Sequence, residues 1–289
     1  MELDQGQLDA LSAAVTEGTF EAAARSLHIT PSAVSQRIKA LENAVGRVLL
    51  TRTKPVHPTP PGRTLLRAAR QLQTITAEAA HELGTGLPDL KPVIPVAVNA
   101  DSLATWFLPA LTVVAPSCAF DLHRSDQDQT AELLRDGTVM AAVTTQAESV
   151  PGCTVQRLGR MRYRPRAAPS FAAAWFPTGP AVAALARAPM VCSDRHDHLQ
   201  DGYLRRRSRR RLHPPRHYVP GPAGYAQAIW LGLGWGMLPD LQALPGDLVD
   251  FDPAHHLDVT LYWQRWHLRT TVLDRLSEAV QHASAGKLH

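Results

Sequence analysis

One face of a predicted helix near the N-terminus combines short polar side chains with cations. Ser32, Ser35 and Gln36 can donate and accept hydrogen bonds at base edges or phosphate oxygens. Arg37 and Lys39 follow them and can neutralise phosphates or bind guanine. This pattern is suited to nucleic-acid recognition, although an ordinary solvent-facing helix side has a similar composition.

The helix that carries these side chains is the third of three. A first apolar stripe covers residues 8–15 and a second covers residues 20–27. The third helix is predicted to begin at Thr30-Pro31, a hydroxyl N-cap followed by proline at the first helical position, and to end at Gly46. Only residues 28–30 separate the second and third helices, so the pattern predicts a helix-turn-helix.

The charge distribution favours a polyanionic partner for this region. Residues 25–70 contain nine basic side chains and one acidic side chain, whereas the whole chain has a net charge of only +4. A solvated cationic surface is the alternative that charge alone leaves open. A strand-like run and a proline-rich ribbon, residues 48–61, predict a wing on the DNA backbone. The expected contacts to double-stranded DNA are Thr30, Ser32, Ser35, Gln36, Arg37, Lys39, Arg52 and Lys54.

A specific family resemblance lies in the same region. The run FEAAARSLHITPSAVSQRIKALE, residues 20–42, is similar to the DNA-binding domain of LysR-type transcriptional regulators. Gly46, Leu49-Leu50, Arg52, Thr59 and Gly62 continue the likeness. The resemblance implies a winged helix-turn-helix, pairing through the following helix, and contact with RNA polymerase as the route to regulation. The sequence leaves a dimer and a tetramer as alternatives.

The following helix, residues 61–83, has a coiled-coil pattern. Its apolar and small residues recur at alternating steps of four and three: Leu65, Ala69, Leu72, Thr76, Ala79 and Leu83. Packing of this stripe on the helix's own domain is the alternative. The sustained spacing favours a homodimer, and two half-sites read together would increase specificity for DNA.

The remaining two hundred residues predict an α/β sensor domain. Strands and helices alternate as βαβαβ from residue 93 to 144, which places ligand sites at the carboxyl ends of the strands. The predicted fold class is therefore α/β with an N-terminal all-α winged helix-turn-helix, a linker helix and a two-lobed sensor domain like periplasmic binding proteins. The predicted domains are residues 1–60, 61–86 and 87–289, with lobe I at about 92–164 and 267–289 and lobe II at about 165–266.

The family resemblance narrows in the sensor domain. VNADSLATWFLP at residues 98–109 and GLGWGMLP at residues 232–239 resemble one branch of LysR-type regulators, which contains arginine-transport and lysine-export regulators. The likeness is weakest over residues 205–222. It implies an activator that responds to lysine or arginine and controls export or transport of amino acids.

A basic amino acid needs partners at both of its ends. Ser102, Thr144 and Thr145 are expected to bind its α-carboxylate, helped by the helix that starts near Ser102. A buried cation needs a carboxylate. The candidates are Asp126 and Asp128 in lobe I and Asp197 and Asp201 in the other lobe, each of which has a helix cap or a solvated loop as its alternative role. Asp101 is predicted to be a helix N-cap and not a ligand contact.

Several other functions lack support in the sequence. There is no secretion signal and no apolar run long enough for a membrane span, and three separated cysteines suit the cytoplasm. No catalytic motif is present, Cys192, His196 and His198 lack a fourth metal ligand, and no cofactor is expected. The basic run at residues 205–216 predicts a solvated helix face. The main alternative function is a chromosome-organising protein that binds DNA without an effector.

Overall fold

Three helices and a small hairpin form the N-terminal domain. The computed structural model describes residues 4–51, 53–83, 92–125, 130–244 and 246–289. The N-terminal elements are α1 Gln5–Glu17, α2 Phe20–Ser26, α3 Pro31–Val45, β1 Leu50–Thr51, β2 His57–Pro58 and the linker helix α4 Pro60–Glu82. Thr30 caps α3 by accepting a hydrogen bond from Ala33 N, so the predicted start of this helix is confirmed.

A tight turn holds α2 against α3. His28, between them, adopts a left-handed conformation with φ 54°, which few residues other than glycine and asparagine adopt readily. Alanines 23 and 24 of α2 are buried where the helices approach, and Val34, Ile38 and Leu41 of α3 pack into the same core. The polar face of α3 is therefore turned away from the domain's interior.

The residues of the predicted coiled-coil seam on α4 lie in two different environments. Leu65 and Ala69 are buried in the core of the N-terminal domain, together with Leu66. Leu72 and Ile75, further along the helix, are each 46% exposed. The predicted seam is thus partly an intrachain contact, and only its second half offers an uncovered apolar surface.

The sensor domain is built on a central mixed sheet. The strands of the sensor domain are β3 Val93–Val98, β4 Ala119–Arg124, β5 Ala141–Thr144, β6 Cys153–Ala167, β7 Met190–Cys192, β8 Arg216–Tyr218, β9 Gly236–Pro239, β10 Val249–Asp250 and β11 Leu257–Trp266. Its helical segments are α5 Ala100–Ser102, a π-helical stretch Leu103–Phe107, α6 Leu108–Val114, α7 Thr130–Arg135, α8 Pro169–Trp175, α9 Val182–Leu185, α10 Leu199–Arg207, α11 Pro222–Trp230 and α12 Thr271–Ala285. The main sheet has the order β10-β6-β11-β5-β3-β4, and β9 also pairs with β6.

Parallel and antiparallel pairings define the two lobes. In lobe I, β3 pairs in parallel with β4 and β5, and β11 pairs antiparallel with β5. The far end of β6 pairs with β9 and β10 in lobe II. β11 begins opposite Tyr163, where β6 also pairs with β9, and its later part pairs with β5, so β6 and β11 together connect the two lobes. The return to lobe I at about residue 267 stays a prediction.

Arginines on the outer face of β6 tie this strand to its neighbours. Arg162 forms an ion pair with Asp258 of β11 at 2.9 Å, and its guanidinium holds the pKa of Asp258 below its usual value. Arg164 and Arg166 both pair with Asp240, just after β9. The alternate residues of β6 point into the core, which explains how an arginine-rich segment becomes a central strand.

Candidate functional site

The outer face of α3 carries the predicted DNA-contacting side chains. Ser32, Gln36 and Lys39 are exposed, and Ser35 is half-buried on the same helix. Thr30 is exposed, but its hydroxyl oxygen already accepts the capping hydrogen bond. The structure thus brings a hydroxyl, an amide and an ammonium group to one surface of a rigid helix, as base and phosphate contacts require.

The remaining cations of the predicted DNA interface occupy different places. Arg37 is half-buried, and its guanidinium carbon lies 3.4 Å from the point where a Cβ on Gly6 would stand, at the start of α1. Lys54 is exposed in the loop between β1 and β2. Arg52 lies outside the described residues. Lys54 therefore lies on the predicted wing, while Arg37 also supports the packing of α3 against α1.

A small cavity lies at the carboxyl ends of three strands of lobe I. Ligand sites of open α/β sheets lie at such strand ends. Asn99 follows β3, Ser125 follows β4, and Thr145 follows β5. The complete lining is Asn99, Ser125, Thr130, Val143, Thr144, Thr145, Tyr163, Val259 and Leu261.

Polar atoms of the cavity lining, and of Ser102 in the short helix that follows β3, are suited to an amino-acid backbone. Thr144 and Thr145 line the cavity, and Thr144 Oγ1 accepts a hydrogen bond from Gln146 N at 3.1 Å. Ser102 is 0% exposed, and its hydroxyl has no hydrogen-bond partner. The side-chain oxygen of Asn99 is also buried without a partner. Buried polar atoms without partners are costly, so these two groups have unused capacity for a ligand.

Asp101 does not play the role that the sequence predicted. Asn99 occupies the N-cap position of α5, and Asp101 is the second residue of this helical segment. The Tyr163 hydroxyl donates a hydrogen bond to Asp101 Oδ2 at 2.8 Å. Burial of Tyr163, followed by the nearby charge of Asp101, raises the pKa of this phenol well above its usual value. Tyr163 is therefore a permanent hydrogen-bond donor to Asp101, and the N-cap prediction was wrong.

Of the predicted cation-binding aspartates, the structure describes Asp197 and Asp201, and Asp201 forms an ion pair with Arg216 at 2.7 Å. Asp126 and Asp128 lie outside the described residues. Asp197 in lobe II accepts hydrogen bonds from Ser193 N at 2.9 Å, Leu199 N at 3.1 Å and Gln200 Nε2 at 3.1 Å. These three hydrogen bonds fix the position of the Asp197 carboxylate. Asp197 is therefore better suited to provide negative charge from a fixed position than to move toward a ligand.

Sequence reasoning missed Asn99, Ser125, Thr130 and Tyr163 at the cavity. The first two immediately follow strands that the pattern had identified, so the strand-end rule contains a usable signal for them. Tyr163 lies on β6, which was not predicted, and it is 4% exposed. No local pattern distinguishes such a residue from an ordinary core tyrosine.

The linker helix also contacts the sensor domain of the same chain. Arg67 of α4 donates hydrogen bonds to the carbonyls of Pro151 at 2.7 Å and Gly152 at 2.8 Å, and its guanidinium carbon lies 5.7 Å from the centre of the Trp266 ring. Arg70 donates to the carbonyl of Gly137. Hydrogen bonds that involve a charged group are stronger than neutral ones. These two arginines therefore hold α4 on lobe I.

A short loop connects this linker contact to the cavity. Residues 145–152 lead from Thr145, at the cavity wall, to Gly152, which Arg67 binds. Gln264 of β11 holds the loop in place. Its Nε2 donates to the carbonyls of Gln146 at 3.1 Å and Glu148 at 2.8 Å, and its Oε1 accepts from Val150 N at 3.0 Å. The loop of residues 145–152 thus contacts both the cavity and the linker helix, and Gln264 holds this loop in place.

Other conspicuous features of the sequence form no second site in the described ranges. No grouping of three or more His, Cys, Asp or Glu there could hold a metal ion, and no described helix is long and apolar enough to cross a membrane. In the second basic run, Arg207 pairs with Asp252 at 3.2 Å, and Arg216 pairs with Asp201 at 2.7 Å. These two arginines therefore serve the packing of lobe II.

Comparisons with known proteins agree with this arrangement. Residues 6–63 match the family model "Bacterial regulatory helix-turn-helix protein, lysR family", and residues 96–285 match the LysR substrate binding domain. The HTH-type transcriptional regulator LysG of Mycobacterium tuberculosis is 45% identical over 289 residues, which cover 99% of this chain and 95% of that protein.

Two solved structures are similar over the whole chain. The crystal structure of ArgP from Mycobacterium tuberculosis has a TM-score of 0.88 at 43% identity and covers 100% of this chain and 99% of that one. Full-length LysG from Corynebacterium glutamicum, with bound effector Arg, has a TM-score of 0.79 at 39% identity and covers 99% of this chain and 100% of that one. The resemblance found in the sequence is confirmed: the chain belongs to the LysR family of transcriptional regulators, in the branch that contains LysG and ArgP.

Proposed function

We propose that this protein is a cytoplasmic transcriptional regulator that binds lysine or arginine and controls export or transport of basic amino acids. The observation that carries the proposal is the polar cavity at the ends of β3, β4 and β5, in a chain whose α3 presents Ser32, Gln36 and Lys39 to solvent. The arginine bound to the related Corynebacterium LysG supports the choice of effector. This role requires no catalysis and no cofactor.

The proposed division of labour follows the fold. Residues 1–60 bind double-stranded DNA, α4 pairs two chains into a homodimer, and the sensor domain binds the effector between its lobes. Contact with RNA polymerase is the proposed output, and pairing of dimers into a tetramer is a further level of assembly. Thr144 and Thr145 at the cavity, together with the buried Ser102, are proposed to bind the α-carboxylate, and Asn99 Oδ1 is proposed to accept a hydrogen bond from the α-ammonium.

Footprinting tests the proposal directly. The full-length protein is incubated with the intergenic DNA upstream of its gene, alone and with lysine, arginine or norleucine. Lysine or arginine is expected to change the protected segment, and norleucine is not, because it lacks the distal cation. If the protected segment does not change with any of the three amino acids, and protection does not depend on the DNA sequence, the result would instead favour a chromosome-organising protein.

Substitutions on α3 and the wing are expected to separate base reading from phosphate binding. Gln36→Ala should weaken operator binding by about 1–3 kcal/mol and leave binding to random DNA nearly unchanged, because each lost base contact costs that much. Lys54→Ala should weaken binding to operator DNA and to random DNA similarly, and the affinity should then change less steeply with salt concentration. Fluorescence anisotropy at several salt concentrations measures both effects. Equal losses on both DNAs for Gln36→Ala would remove Gln36 from base recognition.

The Arg67 contact is proposed to transmit the state of the cavity to the DNA-binding domain. Effector binding at Thr144 and Thr145 acts on the loop that Gln264 braces, and Arg67 binds the end of that loop. Coupling free energies between two sites in one protein are typically about 1–3 kcal/mol. A contact of two charged hydrogen bonds is large enough to transmit such an effect.

Arg67→Ala is therefore expected to uncouple the two sites. Arginine should still bind the sensor domain with nearly unchanged affinity, whereas its effect on operator affinity, about 5- to 150-fold in a coupled protein, should largely disappear. Calorimetry measures the first quantity and anisotropy with saturating arginine measures the second. Arg275→Ala is the matched control, because Arg275 donates hydrogen bonds to Ser117 and to the carbonyl of Val113 within lobe I. A normal response in Arg67→Ala would rule out this route.

A further inference from the structure

The arginines of residues 205–216 in lobe II outnumber their acidic partners. Arg207 pairs with Asp252 at 3.2 Å, and Arg216 pairs with Asp201 at 2.7 Å. The other five arginines are exposed, and none of them forms an ion pair with a carboxylate in the part of the chain that the structure describes. These five form the arginine patch: Arg205, Arg206, Arg209, Arg210 and Arg211. Like charges so close along the chain repel each other, and an anionic partner relieves this repulsion.

Stabilisation of a helix end explains only part of the arginine patch. α10 ends at Arg207, and cations in the last turn of a helix interact favourably with its dipole. Two members of the patch lie in that turn, whereas residues 209–211 lie beyond it. A turn at Ser208 fixes the backbone there, because its hydroxyl donates to the Arg210 carbonyl at 2.9 Å and accepts from Arg210 N at 3.1 Å. The dipole of α10 therefore does not account for residues 209–211.

The arginine patch offers charge without an apolar anchor. Protein–protein interfaces are usually centred on buried aromatic and apolar side chains. Leu212, which follows the patch, packs against the core of the sensor domain, and Pro214 is buried. The ring of Tyr218 on β8 is 41% exposed, but the guanidinium carbon of Arg195 lies 4.9 Å from the ring centre. The patch is therefore better suited to phosphate groups, which arginine binds through charge and paired hydrogen bonds.

DNA is the polyanion that the same molecule brings close to the arginine patch. When α3 binds its operator, a second site on the protein meets the same DNA at a high effective concentration, so a weak contact is enough. Duplex DNA carries about one negative charge per 1.7 Å of its axis, and a patch of several residues therefore meets several phosphates at once. Binding through phosphates alone requires no sequence preference.

We propose that the arginine patch is a second DNA-binding surface, which binds the phosphate backbone outside the bases that α3 reads. The inference goes beyond the proposed function, in which only the N-terminal domain contacts DNA. Because the patch belongs to lobe II, this contact links the path of the flanking DNA to the position of that lobe.

The test replaces all three arginines beyond α10 in the full-length protein, as Arg209→Gln, Arg210→Gln and Arg211→Gln. Affinity is measured by anisotropy at several salt concentrations, on a long duplex with the operator and its flanking DNA and on a short duplex with the operator alone. On the long duplex, the loss of affinity between about 50 and 200 mM salt should become about 10- to 40-fold smaller, as expected for two or three lost phosphate contacts. On the short duplex, the parent and the variant should behave alike.

Two further triple variants separate a DNA contact from a change in net charge or in folding. Arg209→Lys, Arg210→Lys and Arg211→Lys should keep most of the parent's salt dependence, because lysine also binds phosphate. The matched control removes the same charge from three exposed arginines of lobe I, as Arg135→Gln, Arg157→Gln and Arg160→Gln. This control should show the parent's salt dependence on both duplexes.

The opposite results identify the other roles of the arginine patch. A glutamine variant with the parent's salt dependence on the long duplex would overturn the inference. In that case, a loss of transcription with purified RNA polymerase would indicate an acidic protein partner, and normal transcription would indicate a solvated surface. Equal effects of the glutamine variant and the lobe I control would also overturn the inference, since net charge would then be the cause. A parent protein that binds no operator DNA would overturn the proposed function itself and this inference with it.

Discussion

Leu72→Asp is expected to separate the proposed homodimer into folded monomers. Leu72 is 46% exposed in the single chain, so an aspartate there meets water and leaves the N-terminal core intact. In the proposed homodimer the same position lies at the middle of the predicted seam, where a charge would be removed from water without a partner. Twofold symmetry places two such charges in each dimer, so the expected loss of association free energy is about 4–6 kcal/mol.

Analytical ultracentrifugation over a range of concentrations measures this change, and circular dichroism checks the fold. Ala77→Asp is the matched control, because Ala77 is exposed on the same helix but lies away from the seam. It should remain a dimer. Specific operator affinity should fall with Leu72→Asp, since two half-sites are no longer bound together. A Leu72→Asp protein that still dimerises, alongside a monomeric Ala77→Asp, would place the pairing surface on another side of α4.

The same helix illustrates what the sequence could and could not predict. The spacing from Leu65 to Leu83 correctly indicated a long amphipathic helix, since a 3.6-residue period is a local property. It could not show that Leu65 and Ala69 are covered by the chain's own N-terminal core while Leu72 is left exposed. Burial inside one chain and burial between two chains produce the same pattern of apolar residues.

At the cavity, too, the sequence predicts some features and not others. Thr144 and Thr145 lie at the end of a strand in a recognisable βαβ pattern, which predicts ligand contacts there, and both residues line the cavity. Asp101 was misassigned because aspartate is a preferred N-cap residue and its actual donor, Tyr163, lies 62 positions away. The strand β6 was missed because its outer face carries arginines and it contains Pro165, which is unusual in a central strand.

Gly62→Ala is expected to unfold the DNA-binding domain. Gly62 lies in the first turn of α4, and a Cβ there would stand 1.9 Å from the carbonyl oxygen of Leu49. That oxygen cannot move freely, because it accepts a hydrogen bond from Thr59 N at 2.8 Å, and Thr59 Oγ1 in turn accepts from Gly62 N. Overpacking against fixed backbone and loss of this hydrogen bond together should cost about 3–5 kcal/mol.

That cost is comparable to the whole stability of a domain of this size, about 3–9 kcal/mol. Thermal unfolding followed by circular dichroism should therefore show a separate early transition for the N-terminal domain, with specific DNA binding lost and arginine binding by the sensor domain kept. Gly46→Ala is the control: Gly46 has φ 69° and open space around it, so only conformational strain of about 1–2 kcal/mol is expected. Equal destabilisation by the two substitutions would mean that the close approach of Leu49 to α4 adds nothing beyond ordinary backbone preference.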